Sequence, residues 1–381
     1  MKKINQQLSQ LFKDELVDNK KYSAKNIFHN KKLIVYGAGN GFIAFNNAVL
    51  DRLSLRPHLI LDDKFKKGDT FNGITAQPIS GYRPSEEEKK NSIIIITALK
   101  DDIFKIIQQN LKELGFESII KSSDIFEFNL HHVPIELKKK GTNFYLQNRD
   151  KIETCMELMY DKLSKDIFYA VMKTYITQRS GKIPNRPLHE QYFPSDINLQ
   201  KGYSRFINCG SYDGDTVKQL HSQYGKIDAL ACFEPDEKNF SLLSQYLKDN
   251  KEKIAENIVA FPCGVFNSET QLSFSGDKML CSSIFDNGSA VIQCVTLDNV
   301  IPNFKPTFIS MDVEGAELEA LAGAAQLIRE NKPDLAISVY HFPNHIWEIP
   351  IYLNRLNLGY KFYLRNYTGF TYETILYAFA V

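Results

Sequence analysis

Two regions of the chain alternate short apolar runs with amphipathic stretches, and a region of helical periodicity lies between them. In the first region KKLIVYGAGNGF predicts a buried strand at Leu33–Tyr36, a glycine turn, and a helix running to about Leu53. HLILDD, GITAQPIS, SIIIITAL and ESIIK read as further strands, with a helix near Asp101–Leu114. Short apolar strands separated by helices predict a parallel sheet built from βαβ units. Residues 1–30 read as a leading helix. Residues 151–178 place Met156, Met159, Leu163, Ile167, Ala170, Val171 and Tyr175 at helical spacing. SGKIPNRPLHEQYFPSD, with three prolines, reads as a loop.

From about Leu199 the alternation resumes at greater length. It predicts strands at Phe206–Cys209, Ala229–Phe233, Ile258–Pro262, Gln271–Phe274, Phe308–Val313 and Leu335–Tyr340. Helices are expected over 214–224, 236–249, 316–330 and 347–357. The closing runs YKFYLRNY and TILYAFAV are joined by TGFTYE, which is long enough for a hairpin but not for a helical crossover, so the sheet should end in an antiparallel pair. The fold class is α/β. A small Rossmann-like domain is expected at 1–130, a helical connector and loop at 131–198, and a larger, mostly parallel sheet domain at 199–381.

A chain of 381 residues supports two or three domains at roughly 150 residues each. Apolar residues at 43% and charged residues at 24% describe an ordinary globular protein. Lys+Arg minus Asp+Glu is 46 − 45 = +1, so no global basic field draws the chain to nucleic acid or to an anionic membrane. The apolar run Ile93–Leu99 is too short to span a bilayer, and MKKINQQLSQLFKDEL lacks the apolar core of a secretion signal. Cys155, Cys209, Cys232, Cys263, Cys281 and Cys294 form no C-x-x-C pair, which suits reduced, buried thiols in a cytoplasmic protein.

The chemistry concentrates at strand ends. FINCGSYDGDT is a strand that ends in Gly210 and Gly214 before a helix, a turn that admits a ligand close to the backbone at a helix N-terminus. The next strand, ALACFEPD, ends in Glu234, which can accept both hydroxyls of a ribose. Together they describe a nucleoside pocket; a tight turn with a solvent-facing Glu is the plainer alternative. FISMDVEGAE ends a third strand in Asp312, and ligands of open α/β sheets lie beyond such carboxyl ends. Asn208, Glu234 and Asp312 are therefore expected to converge on one crevice. Glu317 is assigned to the first turn of the following helix, where it can stabilise the turn electrostatically.

FINCGSYDGDT, CFEPDEKNF, VTLDNV, ISMDVEGAELEALAGA and SVYHFPNHIWEIP together resemble the FkbM family of S-adenosylmethionine-dependent methyltransferases, over roughly residues 190–381. The resemblance implies a seven-stranded Rossmann-like fold with an antiparallel last strand. It also implies S-adenosyl-L-methionine held by Asn208, Gly210, Ser211, Tyr212, Asp213, Gly214, Thr216, Glu234, Pro235 and Asp312. The chain departs from the family at Asn208, where methyltransferases more often carry an acid. The implied reaction is O-methylation, with a sugar hydroxyl or a glycan precursor as acceptor.

A base would assist such a transfer. His341 follows a strand at its carboxyl end and is the expected base, with Glu314 the runner-up and Asp312 nearest the cofactor. A metal set of Asp312, Glu314, His341 and His345 is chemically conceivable, but nothing in the sequence fixes its geometry, so no metal is assigned. In the first domain Gly37, Gly39 and Gly41 followed by Asp62 weakly resemble a nucleotide site, with a nucleotide-sugar as the ligand considered and a scaffold or homo-oligomer contact as the alternative. Tyr169 and Lys173 mimic a short-chain dehydrogenase pair, but Glu157 and Leu158 stand where that chemistry needs a serine. A nicotinamide-dependent oxidoreductase or epimerase, and a non-catalytic binding module, remain the competing readings.

Overall fold

The computed structural model describes residues 8, 10–12, 27–98, 101–125, 128, 141–177, 181–274 and 290–380. Most of the leading helix expected over 1–30 lies outside them, as do His131, His132 and Cys281. The chain divides into two compact units, one from 11–131 and 172–182, the other from 1–10, 132–171 and 183–381. Most of the 131–198 stretch expected as a connector falls within the ranges of the second unit.

The first unit has a six-stranded sheet. Its strands are β1 (Lys32–Tyr36), β2 (Leu59–Leu61), β3 (Asp69–Phe71), β4 (Ile74–Gln77), β5 (Ser92–Ile96) and β6 (Ile119–Lys121), ordered β3-β4-β2-β1-β5-β6. Helices α1 (Asn40–Phe45), α2 (Glu86–Asn91) and α3 (Asp101–Glu113) connect them. Every residue of β5 is buried, as expected of a parallel strand covered on both faces. Strand β3 escapes a reading by apolar runs because it is short and polar. It pairs antiparallel with β4 across Asn72-Gly73, both with positive φ, the requirement of a tight hairpin turn.

Helices α4 (Gly141–Gln147) and α5 (Arg149–Leu158) fall in the second unit, and α6 (Lys162–Thr177) begins in its ranges and ends in those of the first. The single helical stretch expected over 151–178 is thus two helices. The break follows from two polar contacts: Tyr160 N donates to Phe362 O at 2.8 Å, and Asp161 Oδ1 accepts from Ser164 N at 2.7 Å to start α6.

The second sheet contains β7 (Arg205–Cys209), β8 (Ile227–Phe233), β9 (Ala255–Phe261), β13 (Phe308–Met311), β14 (Asp334–Ser338), β15 (Tyr360–Asn366) and β16 (Thr374–Ala380), in the order β15-β16-β14-β13-β7-β8-β9. Strand β16 runs antiparallel to both neighbours and the other described pairings are parallel, so the expected antiparallel ending is present. The small strands β10 (Gly264–Val265), β11 (Thr270–Phe274) and β12 (Ala290–Val295) form a separate three-stranded sheet.

Helices α7 (Asp215–Tyr224), α8 (Glu237–Ile254), α9 (Leu297–Val300), α10 (Glu317–Ala322), α11 (Ala325–Asn331) and α12 (His345–Arg355) complete the unit. The expected helix over 316–330 is split into α10 and α11. Asp298 sets the break, because its carboxylate accepts from Gln326 N and Leu327 N and caps the new helix from outside. Cys155, Cys209, Cys232, Cys263 and Cys294 are buried free thiols. No helix among the described residues is long and apolar enough to cross a membrane.

One buried cation ties the start of α6 to the sheet. Arg365, only 1% exposed, contacts Asp161 Oδ2 at 2.6 Å, Asp196 Oδ2 at 2.9 Å and Ser164 Oγ at 3.0 Å. Removing the guanidinium leaves two carboxylates without their counter-charge, a loss of about 3 kcal/mol. Arg365→Met should lower unfolding free energy by that amount in urea, followed by the fluorescence of the single tryptophan, Trp347. A change below about 0.5 kcal/mol would show the cluster to be no more than a surface pair.

Candidate active site

The turn after β7 is built so tightly that it dictates glycine. Gly210 N and Ser211 N both donate to Phe233 O at 3.0 Å, drawing the turn onto the end of β8. Gly210 has φ +80°, and a Cβ there would stand 1.9 Å from Asp312 O. The tips of β7 and β13 therefore meet backbone to backbone, and no side chain fits at 210. Ser211 Oγ donates to Asn208 O at 2.9 Å, and Gly214 N to Ser211 O at 2.8 Å, before α7 begins. Asp213 pairs with Lys218 at 3.0 Å, and Thr216 N donates to Asp215 Oδ1 at 2.6 Å.

Glu234 closes this turn from β8. Its Oε2 accepts from Tyr212 N at 2.7 Å in the glycine turn, and its Oε1 from Asp236 N at 2.9 Å, just past Pro235. Asp236 in turn caps α8 through Asn239 N at 2.8 Å. The Glu234 carboxyl is thus fixed in orientation by backbone donors, while burial pushes its pKa up to about 7. Asn208 is buried inside the sheet. Its Oδ1 accepts from Ser310 Oγ at 2.9 Å, and its Nδ2 has no partner.

A second group of carboxylates gathers at the ends of β13 and β14. Glu317 is fully buried, and its Oε1 accepts from His341 Nδ1 at 2.9 Å, Val313 N at 3.1 Å and Gly315 N at 3.3 Å. His345 Nδ1 lies 3.0 Å from the other oxygen. Assigning Glu317 to its helix turn alone captures only part of this role. Burial alone would raise the Glu317 pKa, but His341 and His345 outweigh it and hold the group well below the usual carboxylate range. Burial likewise opposes a charged His341, yet Glu317 first, then Glu314 and Asp312, push its pKa up to about 10. The two shifts describe one imidazolium–carboxylate pair.

The other imidazole nitrogen of His341, Nε2, faces Asp312 Oδ1 and Glu314 Oε2, each at 3.4 Å. Glu314 occupies a left-handed conformation, φ +54°, and burial pushes its pKa up to about 8. Asp312, Glu317 and His341 lie within ligand distance of one another. With a carboxylate on each imidazole nitrogen, the arrangement suits a protonated histidine. Of the metal set considered from the sequence, Asp312, Glu314 and His341 lie together, while His345 points to Glu317.

Sequence reasoning missed three residues here. Tyr192 OH donates to Asp312 Oδ2 at 2.7 Å, and Tyr340 OH reaches the same carboxylate at 3.2 Å. Glu373, between β15 and β16, accepts from Gln191 Nε2 at 2.6 Å; burial first, then the charge of Asp312, push its pKa up to about 7. Tyr192 and Glu373 sit in loops with no periodicity or motif to mark them. Tyr192, Tyr212, Glu314 and Glu373 all have positive φ, and such strain in non-glycine residues, about 1–3 kcal/mol each, collects at functional sites.

The N-terminal glycine turn has a different basis. A Cβ at Gly37 would stand 2.6 Å from Thr97 Oγ1, and one at Gly41 2.1 Å from Thr97 O, so packing against the end of β5 requires both glycines. Asp62 Oδ2 accepts from Ala38 N at 2.8 Å, and Lys64 Nζ donates to Ala38 O at 2.7 Å. The acid expected to meet a nucleotide is thus engaged by its own loop, and Gly39 alone faces open space.

Residues 208–362 match the family model described as the methyltransferase FkbM domain. The crystal structure of methyltransferase FkbM from Methylobacillus flagellatus KT superposes with a TM-score of 0.78 over 99% of each chain, at 22% identity, a likeness of fold. A candidate rRNA-methylase from Clostridium thermocellum aligns over 51% of this chain and 98% of its own, at 8% identity and a TM-score of 0.30, and carries no argument. No curated protein matches the chain. The matched stretch begins at Asn208, near the end of β7, and takes in Glu234 and the Asp312–His341 cluster, so this part of the C-terminal unit is similar to the FkbM methyltransferase domain.

Proposed function

We propose that the C-terminal unit transfers a methyl group from S-adenosyl-L-methionine to a hydroxyl oxygen, with a sugar or glycan precursor as acceptor. The observation that carries this reading is Glu234, a buried carboxylate held by two backbone donors beside a turn that excludes a Cβ at Gly210. A carboxylate so placed can accept both hydroxyls of a ribose. The donor set fits the rest of the cofactor as well. Asp312, held beside His341 and Tyr192, offers negative charge to a cationic ligand. When bound, the cofactor would supply a methyl carbon already activated by its sulfonium. The N-terminal turn is left out of this reading, since it lies outside the matched 208–362 stretch.

The protein's part is alignment and the proton. Alignment of the acceptor oxygen can supply much of the rate. A sugar hydroxyl still benefits from a base, and a base must be unprotonated at the working pH. His341, with a pKa near 10, already holds its proton between carboxylates. We therefore give the proton to Glu314, whose pKa near 8 and 28% side-chain exposure suit the task. His341 then orients Glu314 and Asp312 as a fixed positive charge. A carboxyl raised to about 8 becomes a competent base only as pH rises through that value, so turnover should climb with pH and level off above it.

S-Adenosylhomocysteine should bind the wild-type protein in calorimetry, and Glu234→Ala should weaken it roughly 10- to 150-fold. Unchanged affinity in a folded variant would remove Glu234 from the site. Heat with NAD or a UDP-sugar, and none with S-adenosylhomocysteine, would favour the oxidoreductase or epimerase reading instead.

Ring-nitrogen NMR should find His341 protonated up to pH 9, and Glu317→Gln should bring its titration down toward the ordinary histidine range near 6.5. A wild-type His341 that titrates below pH 8 would restore it as the base. Methyl transfer to a panel of hexoses, deoxyhexoses and hexosamines should fall about 10²- to 10⁴-fold in Glu314→Gln. Failure of every sugar with a cofactor-binding protein would count against the acceptor class.

A further inference from the structure

Asp312 sits beside an imidazolium. His341 Nε2 is 3.4 Å from Asp312 Oδ1 and holds that oxygen by its charge. One contact leaves the carboxylate free to swing about it, so its other oxygen, Oδ2, needs a second partner if the charge is to keep one orientation. Tyr192 is the residue built for this. All three of its polar groups are engaged: its N donates to Tyr377 OH at 3.0 Å, its O accepts from Tyr203 OH at 3.0 Å, and its OH donates to Asp312 Oδ2 at 2.7 Å.

Tyr192 also has φ +64°, a left-handed conformation that costs a bulky side chain free energy and persists only where the surroundings impose it. The surroundings are specific. Arg186 grips Glu190 with Nε at 3.0 Å and Nη2 at 2.8 Å, and Arg186 N donates to Asn366 O at 2.8 Å. Gln191 donates to Glu373, and Asp196 on the far side of the tyrosine is held by Arg365. The loop is thus fastened on both sides of one strained tyrosine whose hydroxyl ends on Asp312.

We propose that Tyr192 is a positioning residue, supplied from outside the matched 208–362 stretch, which fixes the Asp312 carboxylate for the cofactor by holding Oδ2 while His341 faces Oδ1. This rests on the cofactor reading above. Tyr340 is the weaker second donor, at 3.2 Å from Oδ1 and 3.3 Å from Oδ2. The role is one of orientation, and the tyrosine need not touch the cofactor.

The test is a double-mutant cycle on the full chain, with S-adenosylhomocysteine affinity read by calorimetry. Tyr192→Phe, which keeps the ring in place, should weaken binding about 5- to 20-fold. Tyr340→Phe should weaken it less, in line with its longer contacts. In an Asp312→Asn background the Tyr192→Phe change should cost less than about 2-fold, because the hydroxyl then has no carboxylate to orient. A purely structural tyrosine would give the same loss in both backgrounds. That result overturns the proposal, as does an unchanged affinity in the single variant. A wild-type protein that binds no S-adenosylhomocysteine removes the cofactor reading itself, and the proposal with it. Thermal unfolding reported by Trp347 confirms that each variant is folded before its affinity is compared.

Discussion

The ion pair between Glu317 and His341 organises the crevice. A carboxylate with no solvent exposure is costly unless it is paired and hydrogen-bonded, and Glu317 is both. Its Oε1 gathers the backbone N–H groups of Val313 and Gly315 and the imidazole of His341, and its other oxygen faces His345. The turn after β13, the start of α10, the end of β14 and the start of α12 are thereby fixed to one side chain. Glu314 owes its place to this turn, and the charge that Asp312 and Glu314 both face is the proton that Glu317 stabilises on His341.

The pair also divides the labour among groups that share a chemistry. Three carboxyls near the crevice, those of Glu234, Glu314 and Glu373, are raised to about 7, 8 and 7, while Glu317 is depressed. Desolvation acts on all four. What sets Glu317 apart is two imidazoles within 3.0 Å, whereas Glu314 has one at 3.4 Å, Glu234 meets backbone N–H groups and Glu373 meets Gln191. Environments that push like groups apart are how one site can hold both a fixed charge and a group that gives and takes protons near neutrality.

The stretch matched by the family model runs from Asn208 to Phe362, and residues on both sides of it reach the Asp312 carboxylate or its surroundings. Tyr192 and Glu373 come from before and after it, and both are braced by residues with no other evident task, Arg186 and Gln191 among them. The Arg365 cluster serves the same end at longer range, joining α6, the 196 loop and β15. The sheet supplies the strand ends, and the flanking loops set where the side chains on those ends point.

The strand alternation, the glycine turn at Gly210, the acid at Glu234 and the MDVEG run at Asp312 were legible in the sequence, because each depends on local pattern: period-2 or period-3.6 hydrophobicity, and residue types that only a strand-end turn tolerates. The antiparallel last strand was legible for a similar reason, since a six-residue TGFTYE link cannot make a crossover. What the sequence could not decide was ionisation and aim. Nothing along the chain says that His341 would lie between three carboxylates and so keep its proton, or that Glu317 would leave its helix turn to hold it. Nor could spacing place Tyr192 on Asp312, since 120 residues separate them. A pKa and a side-chain orientation depend on the charges and donors that folding brings within a few ångströms, and here those come from separate strand ends and loops.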